Sequence, residues 1–332
     1  MAKKRSSVKK TENTPKKKNA SELTGGKSIF SLLSEEDPIS KVKHWFPTGL
    51  PLMDTFLSDG RGIPGGKLIE VFGNFSTGKT ALCHYFIQMI HRLGGWAVFI
   101  DFESTLDDEH LSCYKDIDLS RVLYSAPETI EDAWGGIFDF IDKSKDYSPF
   151  IICLDSVSAG VPKAELGDVP SVAPLARAMS RNLRKLILKL AGKPGFAYFT
   201  NQVRTNIGAI SFDKTTRPGG HALDFYSDII IKSAMKKNLT KTVNGVTKST
   251  GYLIELTSKK NRKAAPRAKY EFVLSFNRGV DVPETILHTL LKNDIARKRG
   301  NKIVVGEKEY SSRNALIAAI DKDSAEFMKY FG

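Results

Sequence analysis

The stretch Leu68-Ile69-Glu70-Val71-Phe72-Gly73-Asn74-Phe75-Ser76-Thr77-Gly78-Lys79-Thr80-Ala81 decides the fold. Its first part, Leu68 to Phe72, is a short, mainly apolar run of the kind found in strands buried on both faces of a sheet. Gly73 to Thr80 then fits the pattern G-x-x-x-x-G-K-[ST], directly before a helical pattern that starts at Ala81. Glycines at both ends let the backbone turn tightly, so that successive N–H groups of Asn74, Phe75, Ser76 and Thr77 point inward at phosphate oxygens. The positive end of the following helix reinforces them. In this pattern Lys79 reaches the β- and γ-phosphates and the Thr80 hydroxyl binds magnesium, which predicts ATP with Mg2+ as the ligand.

Outward from this stretch, apolar runs alternate with helical patterns: Ala97 to Phe102, Phe150 to Leu154, Phe196 to Thr200, Ile229 to Ile231 and Tyr252 to Leu256. Such alternation predicts an α/β fold with a mostly parallel sheet flanked by helices. A phosphate loop needs a second carboxylate at the end of a neighbouring buried strand to hold magnesium through its water shell. Asp155, closing the run from Phe150, supplies it. Hydrolysis also needs a carboxylate to orient or deprotonate the attacking water. Asp101-Phe102-Glu103 ends another predicted strand, and alternation puts both carboxylates on one face, so spacing leaves the choice between them open.

The bulk numbers narrow the class. With 50 Lys+Arg against 37 Asp+Glu among 332 residues, the chain carries a formal +13, which points to a polyanionic partner. More than half of that excess sits in the first 20 residues, where eight basic side chains face Glu12 alone and almost nothing apolar is present. That composition predicts disorder. No run approaches the roughly 18 apolar residues of a membrane span and no apolar N-terminal signal is visible. The expectation is a soluble, cytoplasmic protein with no membrane partner. Cys83, Cys113 and Cys153 are odd in number and widely spaced, which predicts neither a disulfide framework nor a zinc site.

Several motifs, in order, resemble the RecA family of DNA recombinases. Thr48-Gly49-Leu50-Pro51-Leu52-Met53-Asp54 and Gly62-Ile63-Pro64-Gly65-Gly66 precede the phosphate loop as in that family. Phe99-Ile100-Asp101-Phe102-Glu103 resembles the segment with the family's catalytic glutamate, which implies that role for Glu103. Asp155-Ser156-Val157 with Pro162-Lys163-Ala164-Glu165 resembles the magnesium strand and the entry to a first DNA-binding loop. Asn201-Gln202-Val203-Arg204 and Gly219-Gly220-His221-Ala222-Leu223 bracket a second one.

The resemblance implies further roles. Gln202 would sense the γ-phosphate and signal to the adjacent DNA loop. Lys260-Asn261-Arg262-Lys263-Ala264-Ala265-Pro266 is similar to the segment whose two basic residues, Lys260 and Arg262 here, reach the neighbouring subunit's nucleotide. Asp107 fits the adenine-edge position. Departures stand beside these matches: the family has lysine where Arg262 stands and an adenine-stacking tyrosine where His110 stands. The first DNA loop, 165–172, looks shorter, and a basic N-terminal tail replaces an acidic C-terminal one. Together they imply a diverged, phage-borne member. The implied organisation is a disordered basic tail (1–24), an oligomerisation segment (25–46), a RecA-like ATPase core (47–279) and a small C-terminal α/β module (280–332).

Pro174 is placed to start a helix with Leu175, Met179, Leu183, Leu186 and Leu190 on one face and Arg177, Arg181, Arg184 and Lys189 near the other. A charged stripe of this kind is usually a solvated face. By resemblance Arg177 and Arg184 contact DNA. The segment from Arg204 to Arg217 mixes Gly, Thr, Asn and basic residues with scattered Ile207, Ile210 and Phe212, which suits a loop that orders on a ligand. The resemblance puts one base-inserting apolar residue in each loop, Val172 and Ile207, and adds Gly219 and Gly220 to the DNA-binding set. The implied function is a DNA-dependent ATPase that assembles in filaments on single-stranded DNA and exchanges strands with homologous double-stranded DNA. Ring-forming helicase motors and ATP-switched DNA-binding accessory proteins are the competing readings.

Overall fold

The computed structural model describes residues 41–104, 106, 111, 114–144, 148–167, 173–205 and 215–331. The expected basic tail and most of the 25–46 segment therefore lie outside the described residues, while Val42–Gly332 forms one unit.

A short pair, β1 (Trp45–Phe46) and β2 (Ile63–Pro64), brackets helix α1 (Pro51–Ser58). The alternation read from the sequence follows as β3 (Leu68–Gly73), α2 (Lys79–Arg92), β4 (Trp96–Asp101), β5 (Val122–Ser125), α3 (Ile130–Lys143), β6 (Phe150–Asp155), α4 (Pro174–Leu190) and β7 (Gly195–Gln202). β8 (Arg204–Thr205) and β9 (Thr215–Thr216) pair antiparallel on either side of 206–214. Helix α5 (Ala222–Tyr226) leads into a long hairpin of β10 (Ile229–Val243) and β11 (Val246–Asn261), then β12 (Lys269–Ser275) and β13 (Gly279–Val280). Helix α6 (Val282–Lys292), the small sheet β14 (Ala296–Arg299), β15 (Lys302–Val305) and β16 (Lys308–Tyr310), and helices α7 (Arg313–Lys322) and α8 (Ser324–Met328) follow.

The large sheet runs β13-β12-β11-β10-β3-β7-β6-β4-β5, parallel from β10 to β5 and antiparallel from β10 to β13. Every residue of β3 and β6 is buried, as apolar runs of this length require when both sheet faces are covered. One face packs Leu82, Phe86 and Ile90 of α2 with Met53 of α1, the other Trp134 and Ile137 of α3 with Met179, Leu183, Leu186 and Leu190 of α4. α3 is started by Thr129, whose hydroxyl accepts from the Asp132 N–H at 3.2 Å, a cap worth about 1 kcal/mol. The 280–332 segment has its own three-stranded sheet, yet Ile303, Leu316 and Phe327 belong to the same buried cluster as Met53 and Phe86. Parallel pairing aligns Gly73 with Gln202 and Asp101 with Asp155. The carboxyl ends of β3, β7, β6 and β4 thus share one edge, where open α/β sheets bind ligands.

Candidate functional site

The loop between β3 and α2 is built by backbone demands. A Cβ on Gly73 would lie 2.2 Å from the Ser233 carbonyl oxygen, and Ser76 and Gly78 sit at φ 55° and 79°. The loop therefore curls over the start of α2, whose first-turn N–H groups have no helical partner. Lys79 is the first residue of that helix. Its buried Nζ donates to the carbonyls of Gly73 (3.3 Å) and Asn74 (2.8 Å), and burial lowers its pKa. Thr80 Oγ1 donates to Asp155 Oδ2 at 2.5 Å, and Thr200 Oγ1 donates to Asp155 Oδ1. Burial pushes the Asp155 carboxyl up. A hydroxyl and a carboxylate oxygen side by side are the hard donors magnesium takes, with phosphate and water completing its shell. The donor set fits that ion, and no cluster of three or more His, Cys, Asp or Glu side chains offers a rival metal site among the described residues.

The two carboxylates left open by spacing have different surroundings. Asp101 is buried at the end of β4, and its oxygens accept the backbone N–H groups of Glu103 (3.0 Å) and Leu106 (3.1 Å), tying the turn that follows. Glu103 lies beyond the strand, so alternation no longer fixes its direction. Its Oε1 accepts from Ser156 Oγ at 2.5 Å and from Gln202 Nε2 at 2.7 Å.

A cavity of about 430 Å³ joins Thr77, Lys79, Thr80, Glu103, Asp155 and Gln202 at one end to Tyr252, Leu274 and Phe276 at the other. Tyr252 and Phe276 meet edge to face at 5.2 Å, and Phe276 is 51% exposed. The sequence reading missed this aromatic wall, because exposed aromatics at strand ends carry no distinguishing signal. The adenine-side expectations, Asp107 and His110, lie outside the described residues.

Lys260 and Arg262 do not line this cavity. Lys260 Nζ donates to the carbonyls of Asp224 (2.5 Å) and Phe225 (3.1 Å), and Arg262 Nη2 to that of Phe225 (3.1 Å). Both gather at the carboxyl end of α5, where cations are favoured. Burial, then the Arg262 charge, lowers the Lys260 pKa. On α4, Arg177, Arg181 and Arg184 are exposed opposite the buried leucines. Gly219 and Gly220 have φ 91° and 69°, and a Cβ on Gly220 would lie 2.9 Å from that of Ala176. The glycine turn thus packs directly on α4. Arg204 is described only through its backbone in β8, and Val172 and Ile207 lie outside the described residues.

A polar network also escaped the sequence. Glu70, with 0% of its side chain exposed in the middle of β3, binds Arg217, which binds Asp224 in turn. Asn201 Nδ2 donates to Glu70 Oε1 (3.1 Å) and the Pro218 carbonyl (3.0 Å), and Asn201 Oδ1 accepts the Gln202 N–H (3.0 Å). A charged residue inside an otherwise apolar strand, Glu70, was the available clue.

The mostly parallel sheet, the glycine loop at its carboxyl edge and the Lys79–Thr80–Asp155 arrangement define a P-loop nucleotide-binding protein. The model of the RecA N-terminal domain matches residues 17–281. Protein RecA of Chlamydia abortus is 34% identical over 306 residues, covering 87% of this chain and 83% of that protein. Protein RecA of Mycoplasma mycoides subsp. mycoides is 34% identical over 279 residues, covering 83% and 77%. The crystal structure of the RadB recombinase matches the fold with a TM-score of 0.53 at 18% identity, over 71% of this chain and 98% of that one. The chain belongs to the RecA family. Among the described residues no helix is long and apolar enough to cross a membrane.

Proposed function

We propose that the protein is an ATP-dependent recombinase that forms filaments on single-stranded DNA, hydrolyses ATP in a DNA-stimulated way and exchanges strands with a homologous duplex. The 2.7 Å bond between Gln202 and Glu103 carries this reading. It joins the carboxylate best placed to act on water to the residue from which the chain enters β8 and the 206–214 segment. Gln202 is thus the side chain through which a change at that segment would reach the chemistry. Lys79 neutralises the phosphates, and Glu103, held by Ser156 and Gln202, orients the attacking water and accepts its proton. Magnesium, held by Thr80 and Asp155, would supply charge neutralisation on the phosphates. The aromatic wall of Tyr252 and Phe276 offers an apolar surface to the base.

Exposed Arg177 and Arg184 carry DNA phosphates, and the family resemblance adds Arg204, Val172 and Ile207 as further DNA contacts. Lys260 and Arg262, which do not line their own chain's cavity, serve a neighbour's nucleotide. Electron microscopy with single-stranded DNA and a non-hydrolysable ATP analogue tests the whole reading. Extended helical filaments are the expected outcome. Closed rings would assign the chain to the motors, and neither form would leave an ATP-switched DNA-binding protein.

A further inference from the structure

The outer half of the β10–β11 hairpin leaves the sheet. β10 pairs with β3 only from Ile229 to Ser233, which meets Gly73, and β11 pairs with β12 only from Gly251 to Thr257. From Thr240 to Ser249 neither strand has a third neighbour. Residues 234–243 of β10 run about 30 Å past the end of β3. Asn244 and Gly245, at φ 51° and 78°, close this arm as a two-residue hairpin turn requires.

Register sorts the side chains of the arm. β10 is regular from Lys237 to Val243, since the pairing shift beside Leu239 leaves Thr250 of β11 as the extra residue. Lys237, Leu239 and Lys241 therefore share one face, and Lys248 stands directly opposite Lys241 on it. The other face carries Asn238, Thr240, Thr242, Thr247 and Ser249. There Ser249 Oγ donates to Asn238 Oδ1 at 2.5 Å, and the Thr242 and Thr247 hydroxyls lie 2.8 Å apart. No Asp or Glu stands between Asp228 and Glu255. Lys236 is engaged by Glu255 and Glu271. Lys237, Lys241 and Lys248 are exposed, and among the described residues none of the three has an ion-pair or hydrogen-bond partner. Like charges directly opposite destabilise a strand pair, and a two-stranded ribbon is marginal in water by itself. The cationic face thus weakens the arm unless an anion lies against it.

We infer that this face binds the phosphate backbone of double-stranded DNA, with Lys237, Lys241 and Lys248 as its contacts. Lys237 and Lys241 are about 13 Å apart along the strand, a span that suits an extended polyanion and not a single phosphate group. Residues 237–250 contain no aromatic side chain on which an unpaired base could stack, the device that single-strand binders use. A two-stranded ribbon does fit the major groove of a duplex. The end of β7, from which the 206–214 segment departs, lies two strands away on the same edge of the sheet. DNA as the polyanion rests on the proposed function; the cationic face rests on register and charge alone.

Fluorescence anisotropy of the full chain with a labelled duplex oligonucleotide, titrated over a range of salt, tests the arm. Lys237→Gln/Lys241→Gln/Lys248→Gln should flatten the salt slope by about 2–3, at about 0.9 for each lost duplex phosphate contact, and weaken duplex binding about tenfold or more at low salt. The corresponding triple replacement by arginine should keep the wild-type slope. The slope for a single strand of equal length should not change. Tm should not fall, because glutamine removes the repulsion between positions 241 and 248. A photo-cross-linking amino acid introduced at Val246 needs no lysine change and should capture the duplex. An unchanged duplex slope overturns the inference, as does an equal loss with the single strand, which would give these lysines to the single-strand site. Cross-links only to another copy of the chain would make the arm an assembly contact and overturn it as well. Filaments with an unchanged duplex slope would remove the arm alone, whereas a flattened slope without filaments would keep the arm and remove the recombinase reading.

Discussion

Lys79 shows how far one residue can be reasoned from its surroundings. Its ammonium is held by two loop carbonyls, partners it would exchange for phosphate oxygens on the proposed reading. Lys79→Ala is expected to lower hydrolysis by about 10²-fold or more and to weaken nucleotide binding; wild-type turnover in a steady-state assay would remove the site. The carboxylates separate by environment. Glu103→Gln keeps the shape but cannot accept a proton, so hydrolysis should fall by about 10²- to 10⁴-fold while ATP still binds. Asp101→Asn sets an amide against backbone N–H groups that need acceptors. It should lower Tm by several degrees, corresponding to about 1–3 kcal/mol, with a smaller loss of rate. The reverse pattern in paired melting and turnover measurements would exchange the two roles. The choice of Glu103 over Asp101 came only from resemblance, because alternation fails once the strand has ended.

Elements were legible where apolar period and length agreed. β3, β6 and β7 lie where their apolar runs predicted, and α4 buries its leucine stripe as the 3.6-residue period requires. The hairpin was not: the runs read as Ile229 to Ile231 and Tyr252 to Leu256 are the inner end of a strand of 15 residues and the middle of one of 16. Their outer halves are exposed Lys, Thr, Ser and Asn, which carry no burial signal. On α4, Arg184→Ala should reduce the salt slope of single-stranded DNA binding by about 0.7 if one phosphate contact is lost. An unchanged slope in anisotropy titrations would mark that stripe as merely solvated. At the junction of α6 with β12, burial pushes the Glu271 carboxyl up. Hydrogen bonds from Lys236, His288 and Lys292 outweigh it and hold the pKa at about 2. A carboxyl depressed from 4.5 stabilises the fold above its ordinary value and loses that contribution as pH falls towards 2. Glu271→Gln should therefore lower Tm by several degrees at pH 7 and far less at pH 2. Equal losses at both pH values in circular-dichroism melts would show that charge is not what Glu271 contributes.

At the scale of the whole molecule, Lys260 lines a cavity separate from that of the phosphate loop and Arg262 lines neither, so on the proposed reading assembly supplies what folding does not. Lys260 and Arg262 donate to the carbonyls of α5, and on the proposed reading exchanging those partners for a neighbour's phosphates makes hydrolysis a readout of contact. A Lys260→Ala/Arg262→Ala variant and a Glu103→Gln variant should each be inactive alone, for opposite reasons: one cannot complete its neighbour's site, the other cannot use its own. In mixed assemblies some junctions pair an intact Glu103 with intact basic residues from the Glu103→Gln neighbour. DNA-dependent ATPase should then exceed the sum of the separate activities, with a maximum near equal proportions, because the fraction of productive junctions is the product of the two populations. Both variants keep the exposed α4 face and should retain single-stranded DNA binding, which cross-linking on DNA can verify. If they co-assemble and the mixture never rises above that sum at any ratio, the two basic residues act within their own chain and the shared site is lost.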